Sequence, residues 1–469
     1  MIRRRKRLPS VVSLLFGAAI LAVLGLIFSP KITTATPLKA SLRVPARAPV
    51  SLTFNQPMDA VSVESRFFLD PWTEGSFSWE GQSMTFQPSE PWPAGTDVTV
   101  TLKAGARSLS FLPLLRSYTF QFTVGSPRIA YLWPDGAPAD IYARTLESAE
   151  TTRLTTSSSG VLDFSISPGK SYLIYTAMRE DGGSDLVLYD LSTGWEDILY
   201  SCEGPVLCSR PVLSPDSNTL AFERDLRSLV QQDDLQSSRE VRIMSLESEE
   251  AVQVGPLQHE RSNPTWSITG ELAYFDHTLQ AVAVVDPYLD QGTSPLWLIP
   301  ATVDANLEWL PDGSGLLFPQ VQFEEGRYEL VGVNRIPVFH SHIMYYDLGS
   351  DVVIDLSGDR DGLVEDSLPV YDPSSRWIGF TRRYLEPERW TLGRQVWVMA
   401  ADASEKTLLV NEPDYNHASL VWSPDSSRLV YTRFNQSEIS EQIEIWMVNL
   451  DTGETEQLVV GGYTPQWIP

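Results

Sequence analysis

The side chains best suited to catalysis or metal binding are sparse in this 469-residue chain. Five histidines occur, at positions His259, His277, His340, His342 and His417. His340 and His342 would project from the same side of a β-strand. The sequence shows no third ligand near them, so it predicts no metal site. Motifs for a catalytic serine elbow, a phosphate-binding loop, a zinc-protease helix or a redox C-x-x-C pair do not occur.

An acidic turn, GDRDGLVED at residues 358–366, bears some likeness to a calcium loop. Oxygen ligands could come from four of its residues, with Gly362 at the bend: Asp359, Asp361, Glu365 and Asp366. The turn lacks the acidic residue that closes an EF-hand loop at its twelfth position. We therefore favour a solvated turn, keep calcium as the alternative, and predict no cofactor.

Charge excludes one class of partner. The chain has 35 basic and 60 acidic residues, and five of the basic ones lie in residues 3–7. Residues 8–469 therefore carry a net charge of −30, from 30 basic and 60 acidic side chains. Such a surface argues against nucleic acid, whose phosphates need Lys and Arg, and against docking on anionic lipid. Carboxylates are so abundant that no pair stands out as a general acid and base.

The chain has two cysteines, Cys202 and Cys208. A protein exported from the cytoplasm meets an oxidising compartment, so we predict a disulfide between them. Unpaired thiols are the alternative. Zinc would need further Cys or His ligands, and none is close in the sequence.

The N-terminus predicts membrane attachment. Residues 1–10 are basic, and residues 11–28 form an uncharged apolar run that spans roughly 27 Å as a helix. We predict a cytoplasmic basic segment, a transmembrane anchor at 11–28 and a linker at 29–40, with the remainder outside the cell membrane. The rival is a signal peptide cleaved after Ala35, which would leave a secreted protein.

Residues 41–124 alternate apolar and polar residues in short runs, such as SLTF at 51, DVTVTL at 97 and YTFQFTV at 118. Proline- and glycine-containing turns separate these runs. Short alternating strands with such punctuation predict a β-sandwich.

Three segments of this region carry a family resemblance. SLTFNQPMDAVSV (51–63), TFQP (85–88) and PAGTDVTVTL (93–102) resemble the bacterial Ig-like domain of the SbsA type. The resemblance implies a spacer or presentation domain and not a catalyst.

A turn shaped like W-S-P-D-S, between two short strands, recurs from residue 127 to the end. Copies begin at Phe164, Pro211, Pro264, Leu307, Pro369, Leu420 and Pro465, at intervals of 43 to 62 residues. A period near 50 with several short strands per unit predicts a β-propeller. We expect the tryptophans of the repeat, at 266, 309, 422 and 467, to pack between blades.

Chain ends fix the predicted number of blades. Three strands after Pro127 lack a first strand, and the C-terminal segment YTPQWIP supplies one. Pairing them closes a ring of seven four-stranded blades, or of six if residues 258–300 do not form a full blade. The repeats, with third strands such as IEIWMVNLDTG from Ile443, resemble TolB-type propeller repeats. That resemblance implies the fold, which serves many unrelated roles.

The fold class is therefore all-β after the anchor. In a propeller, the connections between second and third strands and those between blades emerge on one face, which we call the loop face. Its long connections carry aromatic and basic residues suited to binding hot spots: Phe323, Tyr328, Arg335, Phe339, Tyr384, Arg389, Trp390 and Phe434. The alternative is that these loops bury their aromatics against the rim.

The sequence favours a non-enzymatic binding or scaffolding protein whose partner is a protein or another cell-envelope ligand. The alternative is an enzyme acting on extracellular glycan or peptide in the propeller channel. An enzyme should gather carboxylates, His or Arg from several blades at one channel mouth. A scaffold should expose an apolar and aromatic surface on its rim.

Overall fold

The computed structural model describes residues 29–37, 39, 44, 48–136, 138–167, 172–226, 239–248, 250–304, 306–331, 334–358 and 363–468. Contacts between Cα atoms divide the chain after Ser126 into two compact units. Each unit has a hydrophobic core of its own. Most core residues come from short β-strands, and Val63 of the first unit comes from a short helix.

The first unit is a two-sheet sandwich. Its elements are β1 (Ile32–Thr36), β2 (Val50–Phe54), α1 (Ala60–Glu64), β3 (Phe67–Asp70), β4 (Gly75–Glu80), β5 (Ser83–Pro88), β6 (Asp97–Leu102) and β7 (Tyr118–Thr123). One sheet has the order β1-β2-β5-β4 and the other β3-β6-β7. The predicted sandwich is therefore confirmed.

Alternation along the strands builds the core between the two sheets. In β2 every second residue is buried, and the same holds for Val98, Val100 and Leu102 of β6. Successive side chains of a strand point to opposite faces, so each strand gives one face to the core. Trp92 is also buried, and its indole N–H donates to the carbonyl of Ala48 at 3.0 Å.

The predicted linker at 29–40 is partly wrong. Ile32–Thr36 forms β1 and pairs antiparallel with β2, where Ala35 lies opposite Leu52. The strand contains Ile32 and three threonines, whose branched side chains favour extended backbone. The prolines and threonines of the segment are also typical of a linker, so composition alone predicts one.

The second unit consists of four-stranded blades. The first three are β8 (Arg128–Trp133), β9 (Asp140–Thr145), β10 (Thr151–Arg153) with β35 (Tyr463–Ile468); β11 (Val161–Ile166), β12 (Tyr172–Met178), β13 (Ser184–Asp190), β14 (Glu196–Ser201); and β15 (Leu207–Leu213), β16 (Thr219–Asp225), β17 (Arg239–Ser245), β18 (Ala251–Gln253). The fourth is β19 (Arg261–Trp266), β20 (Leu272–Asp276), β21 (Ala281–Val285), β22 (Trp297–Pro300), with a short 3-10 turn at Asp290–Gly292.

The remaining strands complete the ring. They are β23 (Glu308–Trp309), β24 (Gly315–Val331), β25 (Asn334–Asp347), β26 (Val352–Asp355); β27 (Val364–Tyr371), β28 (Trp377–Tyr384), β29 (Gln395–Ala400), β30 (Thr407–Val410); and β31 (Tyr415–Trp422), β32 (Arg428–Asn435), β33 (Glu444–Asn449), β34 (Thr455–Val460). Blades five and six are joined by one parallel pairing, between Ser341 and Glu365.

Pairing of the last strand with the first closes the ring. β35 pairs antiparallel with β8, with Trp467 opposite Ile129. First strands contact one another in a closed cycle, β35-β11-β15-β19-β23-β27-β31-β35. The uncertain segment 258–300 forms the complete sheet β19 to β22. Within the described residues the propeller therefore has seven blades, and the six-bladed alternative is wrong.

The repeated turn has the chemistry that its sequence predicts. In the copy at Ser214–Thr219, a carboxylate oxygen of Asp216 accepts the backbone N–H of Asn218 at 3.1 Å. The same oxygen accepts the hydroxyl of Ser214 at 2.6 Å, and Ser217 adopts a positive φ of 55°. Asp425 repeats this arrangement in the last blade. Such local bonds replace the ladder where the chain reverses.

The predicted membrane anchor and the predicted disulfide have different outcomes. The predicted anchor at 11–28 lies outside the described residues. Among the residues that are described, no helix is long and apolar enough to cross a membrane. Cys202 and Cys208 are joined as a disulfide between β14 and β15, with their Cα atoms 6.1 Å apart.

Removal of residues 463–469 tests the closure. Without β35, one edge of β8 loses its partner, and β11 and β31 lose a neighbour. We expect the melting temperature to fall by roughly 10 °C or the protein to aggregate, as for a loss of about 5 kcal/mol. Removing Pro469 alone is the matched control. An unchanged melting curve for the longer deletion would refute the closure.

Redox state of the cysteines is directly measurable. We expect intact-mass analysis of unreduced, exported protein to show Cys202 and Cys208 paired. Closing so short a loop stabilises the fold by about 2–3 kcal/mol in the chain-entropy account. Two thiols that react freely with an alkylating reagent would show the prediction to be wrong.

Candidate functional site

The propeller has two unlike ends. Turns between first and second strands, and between third and fourth, lie opposite the loop face; we call that end the turn face. First strands run from the loop face to the turn face, so their opening residues lie near the loop face. A candidate site must therefore be formed by the first residues of these strands, by the loops of the loop face, or by the turns of the turn face.

First strands contain a repeated irregularity near their beginning. The pairing register slips between Ser209 and Val212 of β15, and equivalent slips occur in five other first strands. Such slips are β-bulges, which re-aim side chains and leave backbone groups without ladder partners. A left-handed residue accompanies most of them: Arg210, Asn263, Leu368, Ser419 and Thr464.

A chain of polar side chains runs through the bulges of blades two to five. We call it the inter-blade chain; it comprises Asp163, Arg210, Glu223, Asn263, His277 and Asp304. Asp163 accepts the backbone N–H of Arg210 at 2.8 Å, and Glu223 accepts that of Asn263 at 2.6 Å. Each carboxylate therefore satisfies a backbone N–H of the next blade.

Ion pairs continue the chain. The guanidinium of Arg210 lies 3.4 Å from a carboxylate oxygen of Glu223 and also hydrogen-bonds the side chain of Asn263. At the far end, Asp304 lies 3.2 Å from Nε2 of His277 and 3.6 Å from Arg239. Burial raises the pKa of both Asp163 and Glu223, more than their hydrogen bonds lower it.

Two roles can be considered for the inter-blade chain: catalysis and the joining of blades. It brings carboxylates, an arginine and a histidine from four successive blades together, as the channel-enzyme hypothesis requires. Asp163 and Glu223, however, are occupied by backbone N–H groups of the neighbouring blade. A general base must reach a substrate proton. The observed contacts therefore describe a device that joins blades. The sequence did not reveal it, although aligning the repeats shows polar residues recurring at this position.

Tryptophans of the repeat also join blades. The indole N–H of Trp266 donates to the carbonyl of Val212, that of Trp309 to Thr265, and that of Trp422 to Val370, each at 3.1–3.2 Å. In every case the acceptor belongs to the preceding blade. The prediction that these tryptophans pack between blades is confirmed for all three.

A cavity of about 340 Å³ opens among the first strands near the turn face. It is lined by residues of blades two to five, including Val212, Trp266, Ile268 and Trp309. The indole N–H groups in its wall are already bonded between blades. The lining contains no ionisable side chain, so the cavity offers apolar surface and no acid or base.

Three of the predicted loop-face aromatics, Phe323, Tyr328 and Phe339, lie on an extended hairpin, which we call the blade-five arm. β24 and β25 continue beyond their blade to the pair Val331 and Asn334, so the predicted long connection at 321–341 is a hairpin and not a loop. Phe323 and Phe339 lie directly opposite each other in the ladder, and Phe323 is 62% exposed. Opposed residues project on the same face of a ladder. The side chains of Tyr328 and Arg335 lie outside the described part of the structure.

The connection between β28 and β29 presents Trp390. Its backbone bridges to Tyr384, and the guanidinium of Arg389 lies 3.8 Å above the Tyr384 ring. Arg389 also pairs with Glu386 at 3.1 Å. The loop is thus folded onto itself and leaves Trp390 51% exposed.

Two predicted aromatics are less exposed than expected. Tyr384 and Phe434 are half-buried, because both close a second strand where it packs on its blade. Three exposed apolar residues of the same face were missed: Trp133, Leu279 and Ile439. Trp133 is the last residue of β8, and Leu279 and Ile439 lie in connections between second and third strands. No local sequence pattern marks any of the three.

The residues considered as candidate metal ligands have other partners. His342 bonds Asp355 at 2.7 Å, and His340 contacts Gln322 at 3.3 Å. Residues 359–362 of the calcium-like turn lie outside the described residues. Glu365 pairs with Arg383 and Arg394, and Asp366 with Arg382 at 2.7 Å. In the described part of the chain no group of three or more metal-binding side chains occurs.

Comparison with known proteins places the first unit in a family. Residues 28–124 match the bacterial Ig-like domain family. This confirms the resemblance read from the sequence. No curated protein sequence is detectably similar to the chain.

Solved structures resemble the chain in fold. TolB from Acinetobacter baumannii is similar with a TM-score of 0.44 and 13% identity, over 94% of this chain and 99% of that one. A prolyl endopeptidase is similar with a TM-score of 0.50 and 12% identity, over 71% of this chain and 48% of that one. A puromycin hydrolase gives 0.49 and 13%, over 71% and 53%. The likeness to the endopeptidase, at an identity this low, shows a shared fold and not a shared activity.

Glu308 is an acid at a repeat position that is otherwise uncharged. The equivalent residues are Ser165, Val212, Thr265, Val370, Val421 and Gln466. Glu308 accepts the backbone N–H of Tyr371 in the next blade at 3.3 Å. Its enclosure between blades raises its pKa to about 7.

This shift predicts a pH dependence of stability. Between the ordinary carboxyl pKa and about 7, the folded chain holds a proton on Glu308 that the unfolded chain has lost. Stability should therefore fall as pH rises through that window, by up to about 3 kcal/mol. Glu308→Gln should remove this slope and stabilise the protein at pH 8, as measured by urea unfolding. An identical slope in the variant would show that Glu308 titrates normally.

Proposed function

We propose that this chain is a membrane-anchored, extracytoplasmic protein that binds a protein or another cell-envelope ligand through the loop face of its propeller, without catalysing a reaction. One observation carries the proposal: exposed aromatic and apolar side chains on the loop face are held by ordered connections. Aromatic residues dominate binding hot spots because they bury large areas at low entropic cost.

Order in these connections supports the proposal. The Trp390 loop is braced by the contacts of Tyr384, Arg389 and Glu386. On the blade-five arm, the hydroxyl of Thr302 bonds both backbone groups of Val321, at 3.0 and 3.1 Å. A surface that is already ordered loses less conformational entropy when it binds.

The proposed anchor would attach the protein to the membrane. The apolar run at 11–28 would hold the Ig-like unit near the bilayer and the propeller beyond it in the chain. A spacer domain followed by a binding domain is a suitable order for presenting the loop face to other envelope components.

An enzyme is the second candidate, and the inter-blade chain is the observation that favours it. Asp163 and Glu223 have raised pKa values, as acids and bases in active sites often have. Mass spectrometry of cell-wall glycans and peptides incubated with the protein tests this. Products that form with the natural chain and are lost with Glu223→Gln would replace the binding proposal with the enzymatic one.

Substitution on the loop face tests the binding proposal. We expect Phe323→Ala combined with Trp390→Ala to weaken capture of the partner from detergent-solubilised membranes by roughly 1–4 kcal/mol, the range of hot-spot residues. Both side chains are exposed, so the melting temperature should stay within about 2 °C of the natural value. Binding is measured by titrating immobilised protein with the partner identified in the capture.

The turn face supplies a matched control. Trp195 and Ile268 are similarly exposed there, at 55% and 56%. Their combined replacement by Ala should leave capture unchanged. Equal loss of binding in the two double variants, or normal binding in the loop-face variant, would contradict the assignment of the loop face.

A further inference from the structure

The connection between β6 and β7 of the Ig-like unit, residues 103–117, exposes apolar side chains that its own unit does not use. We call it the apolar loop. Leu109 is 65% exposed, Phe111 79% and Leu115 47%. Monomeric proteins scatter single apolar residues over their surfaces, but several on one short loop indicate an interaction.

The loop is rigid. Gly105 donates its N–H to the carbonyl of Leu114 at 2.8 Å, Leu114 donates to Ala106 at 2.7 Å, and Phe111 donates to Ser108 at 2.9 Å. Ala106, Ser108 and Leu114 are buried and face the unit. The exposed side chains are therefore fixed outward by a small internal ladder.

Phe111 occupies a backbone conformation that aromatic residues rarely adopt. Its φ is 62°, in the left-handed region. Holding a non-glycine residue there costs on the order of 1 kcal/mol. The unit thus accepts backbone strain at the tip of a loop whose aromatic ring points away from its own core.

Charge on and around the loop is the reverse of that of the whole chain. Lys103, Arg107 and Arg116 are exposed, and no acidic residue occurs between Asp97 and Asp135. Residues 29–126 contain eight basic and seven acidic side chains, whereas residues 127–469 contain 22 and 53. The acidic surface that disfavours anionic lipid therefore belongs to the propeller and not to this loop.

The apolar loop lies next to the residues at which the chain enters the Ig-like unit. Lys31, just before β1, exchanges backbone and side-chain hydrogen bonds with Asn55 at 2.7 and 3.0 Å. Two residues further, the carbonyl of Pro57 accepts the N–H of Leu109 at 3.1 Å. The chain enters the unit at the same end that carries the apolar loop.

We propose that the apolar loop inserts into the surface of a bilayer containing anionic phospholipid. Leu109, Phe111 and Leu115 would lie below the headgroups, and the basic side chains would contact the phosphates. The inference rests in part on the proposed anchor: only three residues separate residue 28 from β1, a span of at most about 14 Å. An anchor ending there would hold this end of the unit against the membrane.

A fluorescent reporter on the loop tests the proposal. Ser110 is exposed between Leu109 and Phe111, so Ser110→Cys can carry an environment-sensitive dye on the full chain. With vesicles of phosphatidylcholine and phosphatidylglycerol we expect a blue-shifted emission and protection from iodide. The same dye at Ser89→Cys, at the opposite end of β5, should stay fully accessible.

Variants separate apolar from electrostatic contributions. Phe111→Gly relieves the positive φ, so it should keep or raise the melting temperature yet lose most of the blue shift. Arg107→Gln with Arg116→Gln should lower the ratio of inserted to free loop on the anionic vesicles, read from the dye at position 110, by roughly 30-fold, because each basic residue near such a surface gives about a five-fold gain.

Three outcomes would overturn the inference. The dye at position 110 could remain as accessible to iodide as the dye at 89. The emission of the dye could shift to the blue without vesicles as the protein concentration rises, which would show that the loop binds a second copy of the chain. The emission could shift equally on vesicles of phosphatidylcholine alone, which would show that the loop does not require anionic lipid. Failure of the anchor is distinguishable, because the full chain would then leave membranes on carbonate washing whatever the dye reports.

Discussion

The propeller depends on the pairing of β35 with β8. Every blade after the first is built from consecutive strands, but the first takes its inner strand from the other end of the chain. Pairing these strands ties residues more than 300 positions apart. It also completes the cycle of first strands and gives the first blade four strands, as in the other blades.

Once the ring is closed, two repeated bonds hold neighbouring blades together. Indole N–H groups reach back to the preceding blade, as Trp422 does to Val370. Carboxylates reach forward to a backbone N–H of the next blade, as Glu223 does to Asn263. Both kinds of bond use side chains of the first two strands. Loops also join blades, since Asp135, between β8 and β9, accepts the backbone N–H of Ile443 in blade seven at 3.1 Å.

Much of this fold could be predicted from the sequence because its signals are local. The turn at Ser214–Thr219 repeats with a readable pattern, and alternation in β6 marks a sandwich strand. The blade at 258–300 is harder to predict from the sequence, since its turn is one residue shorter than the others. β1 was missed because a short edge strand beside a proline has the composition of a linker.

Functional features were less predictable, for a physical reason. The partners Asp163 and Arg210 lie 47 residues apart in sequence and meet only because blades stack. Trp390 was recognised as a candidate from its residue type. Its exposure depends on how Arg389 and Tyr384 fold beneath it. The apolar loop at Phe111 lies outside the three segments that carry the family resemblance. Its basic charge is not apparent from the net charge of the whole chain.

We propose one division of roles in the propeller: the turn face and first strands build the ring, and the loop face binds a partner. Site-specific photo-crosslinking in intact membranes tests this most directly. A benzophenone amino acid is placed at Trp390 on the loop face or at Ile268 on the turn face. The account predicts a discrete adduct from position 390 and none from position 268. An adduct from position 268, with none from position 390, would contradict it.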